Sequence, residues 1–302
     1  MIQKSIIHLT SITQKVRYVA GLLKDLFHES RILKDLIYRQ VLKIGAFSMP
    51  LTFAHPAAIL PFSRKSQFIN FSAMVLGSMA PDFEYFLRGK PLGEFGHTLS
   101  GFMLLNLPLV AVIYFIYHIF IHQVLTHHLP LYLQDGYYPK RENPNNFLRV
   151  LVFCYSALIG MVTHVVWDSF THVDGYMVMN YSIFTNTYHV YEFKVPLYKL
   201  LQHGSTVAGL MMIFIYMYVR ALSTKNNLSK VSLKQKTTFW FTILSLTITF
   251  MFLWNIVDYV SIFKYGILVV RIIDSFFISL FIVSIVFKNN VQNSKNLIKQ
   301  SF

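Results

Sequence analysis

The sequence predicts an all-α, polytopic membrane protein, with five long transmembrane helices preceded by a short N-terminal helical hairpin. Three observations carry that expectation. Of 302 residues, 54% are hydrophobic, 16% are aromatic and only 13% are charged, for a mean hydropathy of +0.48. Five apolar runs approach the roughly 20 residues that an α-helix needs to cross a bilayer. The formal charge of +14 is concentrated in blocks at 1–48, 220–237 and 288–302, not in a stripe interleaved with exposed aromatics, so nucleic acid is not an expected partner.

In residues 1–48, Leu9, Ile12, Val16, Val19, Leu23 and Leu26 recur at steps of three and four, and eight basic residues stand against three acidic ones. This pattern fits a basic amphipathic helix on the cytoplasmic leaflet. It equally fits an upstream extension ahead of a biological start at Met49. Lys15, Arg17, Lys24 and Asp25 interrupt the apolar stretch that a cleaved signal peptide requires.

Residues 51–62 and 68–87 are apolar but short, and Pro56, Pro61, Pro81 and Asp82 break them. They read as the helical hairpin, re-entrant and packed against later helices, because irregular backbone at membrane depth survives only against protein or a water-filled cavity. The five spanning runs follow at about 98–121, 147–168, 204–222, 238–260 and 265–287. Residues 49–222 therefore form a membrane domain, and 223–302 a basic loop, two further spans and a basic tail.

Orientation follows from the basic loops. Arg220, Lys225, Lys230, Lys234 and Lys236 lie in one acid-free loop, and Lys288, Lys295 and Lys299 in an acid-free tail; both are assigned to the cytoplasm. The loop at about 171–203 and the start of the first span then face outside. This puts His97, His164, Asp168, His172 and His203 near the same face, although none of them entered the charge argument. A multi-pass membrane location with a cytoplasmic C-terminus is the expectation from these loops.

The sharpest motif is THVVWDSFTH, which sets His164, Asp168 and His172 four residues apart at the end of an apolar run. On an α-helix, steps of four keep the three side chains within an arc of roughly 80°. Ionisable groups in such a run call for a specific reason, and one bound ion would supply it. Two further clusters are Asp82 and Glu84 in GSMAPDFEYF and His97 in GHTLSG; His55 in TFAHPAAILPF is a fourth candidate. Imidazoles and carboxylates suit zinc and similar divalent ions, and this donor set is enough for two of them. The plainer readings are interfacial histidines at span ends, a His to Asp hydrogen bond, and a helix stop at Pro81 and Asp82.

Other features carry less. His118, His122, His127 and His128 fall on the cytoplasmic side in this topology, where an interfacial role is expected. Arg271 and Asp274, three apart inside the last span, are expected to pair with each other. Asp258, near a span end, is expected to reach water. The lone cysteine, Cys154, excludes an intrachain disulfide and is assigned to packing. No P-loop, dinucleotide fingerprint or GxSxG occurs, so nucleotide and acyl-serine chemistries have no support.

The stretches MPLTFAHPAAILPF, GSMAPDFEYFLR, GHTLSGFMLLNLPL, IGMVTHVVWDSFTHVDG and VPLYKLLQHGS, from about Met49 to Leu210, resemble the bacterial integral-membrane family catalogued as domain of unknown function 4184 (DUF4184). That resemblance carries no settled activity. Members tend to begin at the MPxTFxHPA segment, which favours reading 1–48 as an extension. The order of motifs is also similar to that of the membrane-bound metal-dependent hydrolase family and, more remotely, the zinc-dependent phospholipase C and P1 nuclease group, where such residues bind a zinc cluster that cleaves phosphate esters. On the matching positions this implies His55, Asp82, His97, His164, Asp168 and His172 as ligands, with Asp174 and His203 in the surrounding shell. The chain lacks further HxxxD or HxxxE pairs, which departs from the soluble pattern.

The expected function is therefore a membrane-bound, zinc-dependent hydrolase of a phosphate ester or other lipid-linked or small-molecule substrate, with Asp82 or Asp168 ligating and Glu84 orienting water as a base. The alternatives are a proton- or cation-coupled transporter and a non-catalytic membrane scaffold.

Overall fold

A computed structural model describes residues 52–135, 146–191, 193–223 and 231–300, with side chains as far as 288. The basic extension and Met49 lie outside the described residues. The architecture is helical, and five stretches are long and apolar enough to cross a membrane: Leu99–His128, Asn146–Asn180, Leu197–Ser223, Leu233–Val257 and Tyr265–Lys288. The fold class is the expected one, and the chain is a multi-pass membrane protein.

The segment ahead of the spans is a chain of short helical pieces. A 3-10 helix, Thr52–Ile59, accommodates Pro56. Helix α1, Phe71–Gly77, starts where the Asn70 side chain accepts the Ala73 N–H, the usual way of satisfying an orphan donor at a helix start. A 3-10 turn at Ala80–Asp82, with Pro81 at its start, leads into α2, Phe83–Arg88. Gly89 ends α2 at φ 60°, the left-handed conformation glycine adopts without penalty, and a Cβ there would lie 2.6 Å from the Trp254 ring.

Helix α3, Leu99–His128, is capped by Thr98, whose hydroxyl accepts the Gly101 N–H. It widens into π turns at Phe102–Asn106 and Tyr117–Ile121. The first widening comes just before Pro108, which lacks an N–H and whose ring would clash with a carbonyl one regular turn back. Helix α4, Asn146–Thr171, is followed by a short α5, Tyr176–Asn180. Strands β1, Thr187–Val190, and β2, Phe193–Pro196, form an antiparallel hairpin that pairs Val190 with Phe193. Helix α6, Leu197–Ser223, comes next. Helix α7, Leu233–Val257, opens on a capping box of Ser232 and Gln235, and α8 runs Tyr265–Gln300.

Small residues set the central packing. A Cβ on Gly77 would lie 2.1 Å from Ala157 O, and one on Gly160 only 2.2 Å from Met74 O. The backbones of α1 and α4 thus touch, as small residues allow between helices in lipid. Ala73, Ala80, Phe83, Phe102, Val110, Ala157 and Met161 form one apolar core around that contact; Ile121, Val124, Phe239, Ile243, Leu280 and Val283 form a second between α3, α7 and α8. Outward faces stay apolar, with Val162 54% and Phe241 71% exposed, as suits surfaces solvated by lipid.

The expected pairing of Arg271 with Asp274 is not found. Arg271 instead pairs with the Asp258 carboxylate, donates to Asp258 O at 2.6 Å and lies 5.1 Å from the Trp254 ring centroid. Side chains on a helix lean toward its N-terminus. Arg271, near the start of α8, therefore reaches the end of the span, where Asp258 meets solvent. Asp274 sits almost one turn deeper.

Candidate metal centre

Four elements converge on one point. His55 comes from the first 3-10 helix, Asp82 from the turn between α1 and α2, His97 from a 3-10 turn, Phe95–His97, just before α3, and His164 and Asp168 from α4. One ligand atom from each of Asp82, His97, His164 and Asp168 lies within 4.8 Å of the other three. His55 and His172 join through Asp168.

Asp168 is ringed by imidazoles. Its Oδ1 is 3.0 Å from His55 Nε2 and 3.3 Å from His172 Nδ1, and its Oδ2 is 3.0 Å from His164 Nε2 and 3.8 Å from His97 Nε2. Asp82 Oδ1 completes the group at 3.5 Å from His97 Nε2 and 3.6 Å from His164 Nε2. The other Asp82 oxygen accepts a 2.6 Å hydrogen bond from the Thr52 hydroxyl. That fixes the carboxylate so that Oδ1 faces the histidines.

Two histidines turn Nδ1 to backbone carbonyls. His164 Nδ1 is 2.8 Å from Ser78 O, and His55 Nδ1 is 3.1 Å from Thr52 O. A carbonyl only accepts, so each Nδ1 carries a proton; a neutral His164 ring then turns its Nε2 lone pair inward, whereas His55 Nε2 donates to Asp168 Oδ1 at 3.0 Å. His164 Nε2 is fully buried and, although close to two carboxylate oxygens, lacks the alignment of a hydrogen bond to either. A buried lone pair facing carboxylates is repulsive unless a cation or a second proton lies between them. Oriented imidazoles with occupied far nitrogens, beside carboxylates, are what a divalent ion needs, so the donor set fits a metal.

The local packing explains the placement. The glycine contact between α1 and α4 brings Ser78 O, just past α1, against His164 one turn beyond Gly160. The His55 ring stacks on His164 at 4.0 Å and stands 5.7 Å from Trp167. Burial by itself would raise the Asp82 carboxyl; the charge that His164 carries when protonated, 3.6 Å away, outweighs burial and holds Asp82 below the ordinary carboxylate value. Tyr85 beside the site is pushed up, first by burial and then by the charges of Asp82 and Asp168.

Glu84, expected as a base, has both oxygens engaged away from the cluster centre. Oε2 accepts the Gly96 N–H at 2.9 Å, and Oε1 is 2.7 Å from Arg88 Nη2. Burial would raise this carboxyl too, but the Gly96 N–H and the Arg88 guanidinium hold it low. On the far side of the same residue, the buried Asn106 amide donates to Gly96 O at 2.6 Å. The backbone immediately before His97 is thus clamped from both sides, and Glu84 positions a ligand. No Cβ fits at Gly96, where it would lie 2.4 Å from Pro81 O.

Asp174 and His203 are both exposed, at the rim after α4 and at the start of α6. The buried neighbour on α6 is Gln202, while Ser205 accepts from the Trp167 indole at 3.2 Å. Thr52, Ser78, Gly96 and Asn106 were not legible as site residues. Their contributions are a hydroxyl, two carbonyls and an amide that have no pattern in sequence.

No curated protein and no solved structure matches this chain. The family described as domain of unknown function DUF4184 matches residues 49–285, beyond the motifs at 49–210 and into the last span, and the chain belongs to that family.

Proposed function

We propose that this protein is a membrane-embedded, metal-dependent hydrolase of a phosphate ester, with zinc as the metal and a lipid-linked compound as the substrate class. The convergence of Asp82, His97, His164 and Asp168 within 4.8 Å carries the reading. The order of the His and Asp motifs, similar to that of membrane-bound metal-dependent hydrolases, points the same way.

Zinc in such a donor set supplies a Lewis acid and makes a coordinated water more acidic. The protein's own groups do the rest. His164, with its Nδ1 proton committed to Ser78 O, presents a lone pair rather than an N–H group to the centre, and His55 holds Asp168 through Nε2. Thr52 holds Asp82, and the clamp on Gly96 holds His97. Hydrolysis adds water to phosphorus, breaks the P–O bond and hands a proton to the leaving alcohol. His172, 21% exposed and 3.3 Å from Asp168, is placed to move that proton between the cluster and solvent.

The site lies at the end of the bundle formed by the start of α3 and the finish of α4. Arg220, Lys234 and Lys236 belong to the opposite ends of α6 and α7. The positive-inside rule then supports a site on the non-cytoplasmic face of a bacterial cytoplasmic membrane.

The test is elemental analysis of protein purified in detergent without chelator, together with turnover of a panel of phospholipids and lipid phosphates. Stoichiometric zinc and a phosphate-ester product, both lost in Asp168→Asn, are expected. Absence of any stoichiometric divalent metal in folded protein overturns the proposal.

A further inference from the structure

The segment between α4 and α6 carries apolar surface that the rest of the chain leaves uncovered. Tyr176, Met179, Tyr181, Ile183, Tyr188 and Tyr191 are between 44% and 91% exposed. The segment is nevertheless built against the bundle. Val178 is 3% exposed, Phe184 meets Phe170 edge-on at 5.8 Å, and the Leu197 N–H donates to Asn186 O at 2.9 Å. An outward apolar face on an anchored segment is a surface with a purpose.

We propose that Val173–Tyr191 is seated in the headgroup layer of the bilayer and brings the mouth of the metal centre to the level of phospholipid phosphates. Three observations favour a lipid surface as the occupant. The face is continuous along the chain with flanks that lie in lipid: Val162 and Val166 on α4, each 54% exposed, and Val207 and Met211 on α6, each 59%. Four of the eight large apolar side chains that the segment exposes are tyrosines, whose apolar ring and polar tip suit the interface between hydrocarbon and water. Exposed Lys194 on β2 adds a cation for lipid phosphate.

Tyr191 supplies an independent indication. It lies at the hairpin tip at φ 55° and is 91% exposed. Turns of this kind favour glycine or asparagine, and a bulky aromatic in the left-handed region is strained. Among the described residues nothing covers its ring to offset that strain. Burial of the ring among lipid headgroups does.

The segment begins one residue after His172, so seating it in the interface fixes the depth of the site. This deepens the hydrolase reading and rests on it only for the substrate: the scissile phosphate belongs to a molecule whose acyl chains stay in the bilayer.

The test uses the lone cysteine. Cys154→Ser provides a cysteine-free background, into which Tyr191→Cys and, separately, Tyr181→Cys are introduced and labelled with an environment-sensitive fluorophore. The full chain is reconstituted in vesicles of phosphatidylcholine and phosphatidylglycerol. Quenching by headgroup-attached nitroxide lipid is compared with quenching by aqueous iodide, and Val166→Cys reports the lipid-facing reference. Strong nitroxide quenching with loss of iodide access at both positions is expected, whatever the protein-to-lipid ratio. Full iodide access without nitroxide quenching overturns the proposal, and so does protection that disappears on dilution in lipid, which would assign the face to a second copy of the chain. The readout needs neither metal nor turnover, so a failure of the hydrolase reading leaves it intact.

Discussion

His55 Nε2 and Asp168 Oδ1 stand 3.0 Å apart although 113 residues separate them. The contact ties the opening 3-10 helix to α4. It also leaves the carboxylate's second oxygen to His164, so that Asp168 is shared between two groups of histidines. This sharing makes Asp168 the residue whose loss the site tolerates least.

Thr52 acts on the same centre at one remove. Thr52→Val keeps the shape of the side chain but removes the 2.6 Å hydrogen bond to Asp82 Oδ2. Outer-shell changes of this kind cost about 10–100-fold in metal affinity. Metal titration of the chelator-stripped variant is expected to show a loss of that size, with the helical content by circular dichroism unchanged. Unaltered affinity would mean that Asp82 does not need the hydroxyl to face the cluster.

Glu84 and Arg88 separate in their effects. Glu84→Ala strips the buried Gly96 N–H of its acceptor, which costs about 1–3 kcal/mol. It also loosens the turn that carries His97, so thermal stability and metal affinity fall together. Arg88 is 54% exposed; Arg88→Ala is expected to cost about 0–1 kcal/mol, as for a solvent-screened pair. Melting temperatures and metal titrations of the two variants, compared side by side, check the ranking.

Gly160→Ala tests the backbone contact that builds the site. Its Cβ would sit 2.2 Å from Met74 O and 2.7 Å from Ser78 N, and neither backbone atom can give way as a flexible side chain can. Overpacking typically costs about 1–3 kcal/mol. Here it also pushes Ser78 O away from His164 Nδ1. The expected result is a lower melting temperature and weaker metal binding in one variant that alters no ligand.

The two ends of the Arg271 pair are not equivalent. Arg271 has a side chain only 6% exposed, whereas that of Asp258 is 66% exposed. Asp258→Ala leaves a buried guanidinium without its carboxylate, at a cost of about 1–3 kcal/mol. Arg271→Met replaces the charge by an apolar side chain and leaves Asp258 to water. Thermal unfolding in detergent should rank Asp258→Ala as the more damaging change. The reverse order would show that the stacking of Arg271 on Trp254 matters more than its charge.

How much of this was legible in the sequence depends on how local each signal is. Five spans could be read because hydrophobicity over a bilayer's thickness is a property of one continuous stretch. The structure extends the run at about 98–121 to Leu99–His128, since a helix continues beyond the hydrocarbon as long as its backbone bonds are made. The face shared by His164, Asp168 and His172 follows from helical periodicity alone. Arg271 was misassigned for a related reason. Spacing named the nearest acid, but the lean of the side chain along the helix chose a partner 13 residues away.

The sequence by itself therefore determined the solvent, the spans and the spacing of three donors at the end of one helix, because each depends on neighbours within a few turns. Only the tertiary structure decided that His55, Asp82 and His97 meet those donors, that Glu84 braces a ligand, and that a backbone carbonyl fixes the His164 tautomer. Those relationships arise where α1 and α4 approach to backbone contact at Gly77 and Gly160, and no periodicity along the chain encodes which distant carbonyl a close approach will deliver.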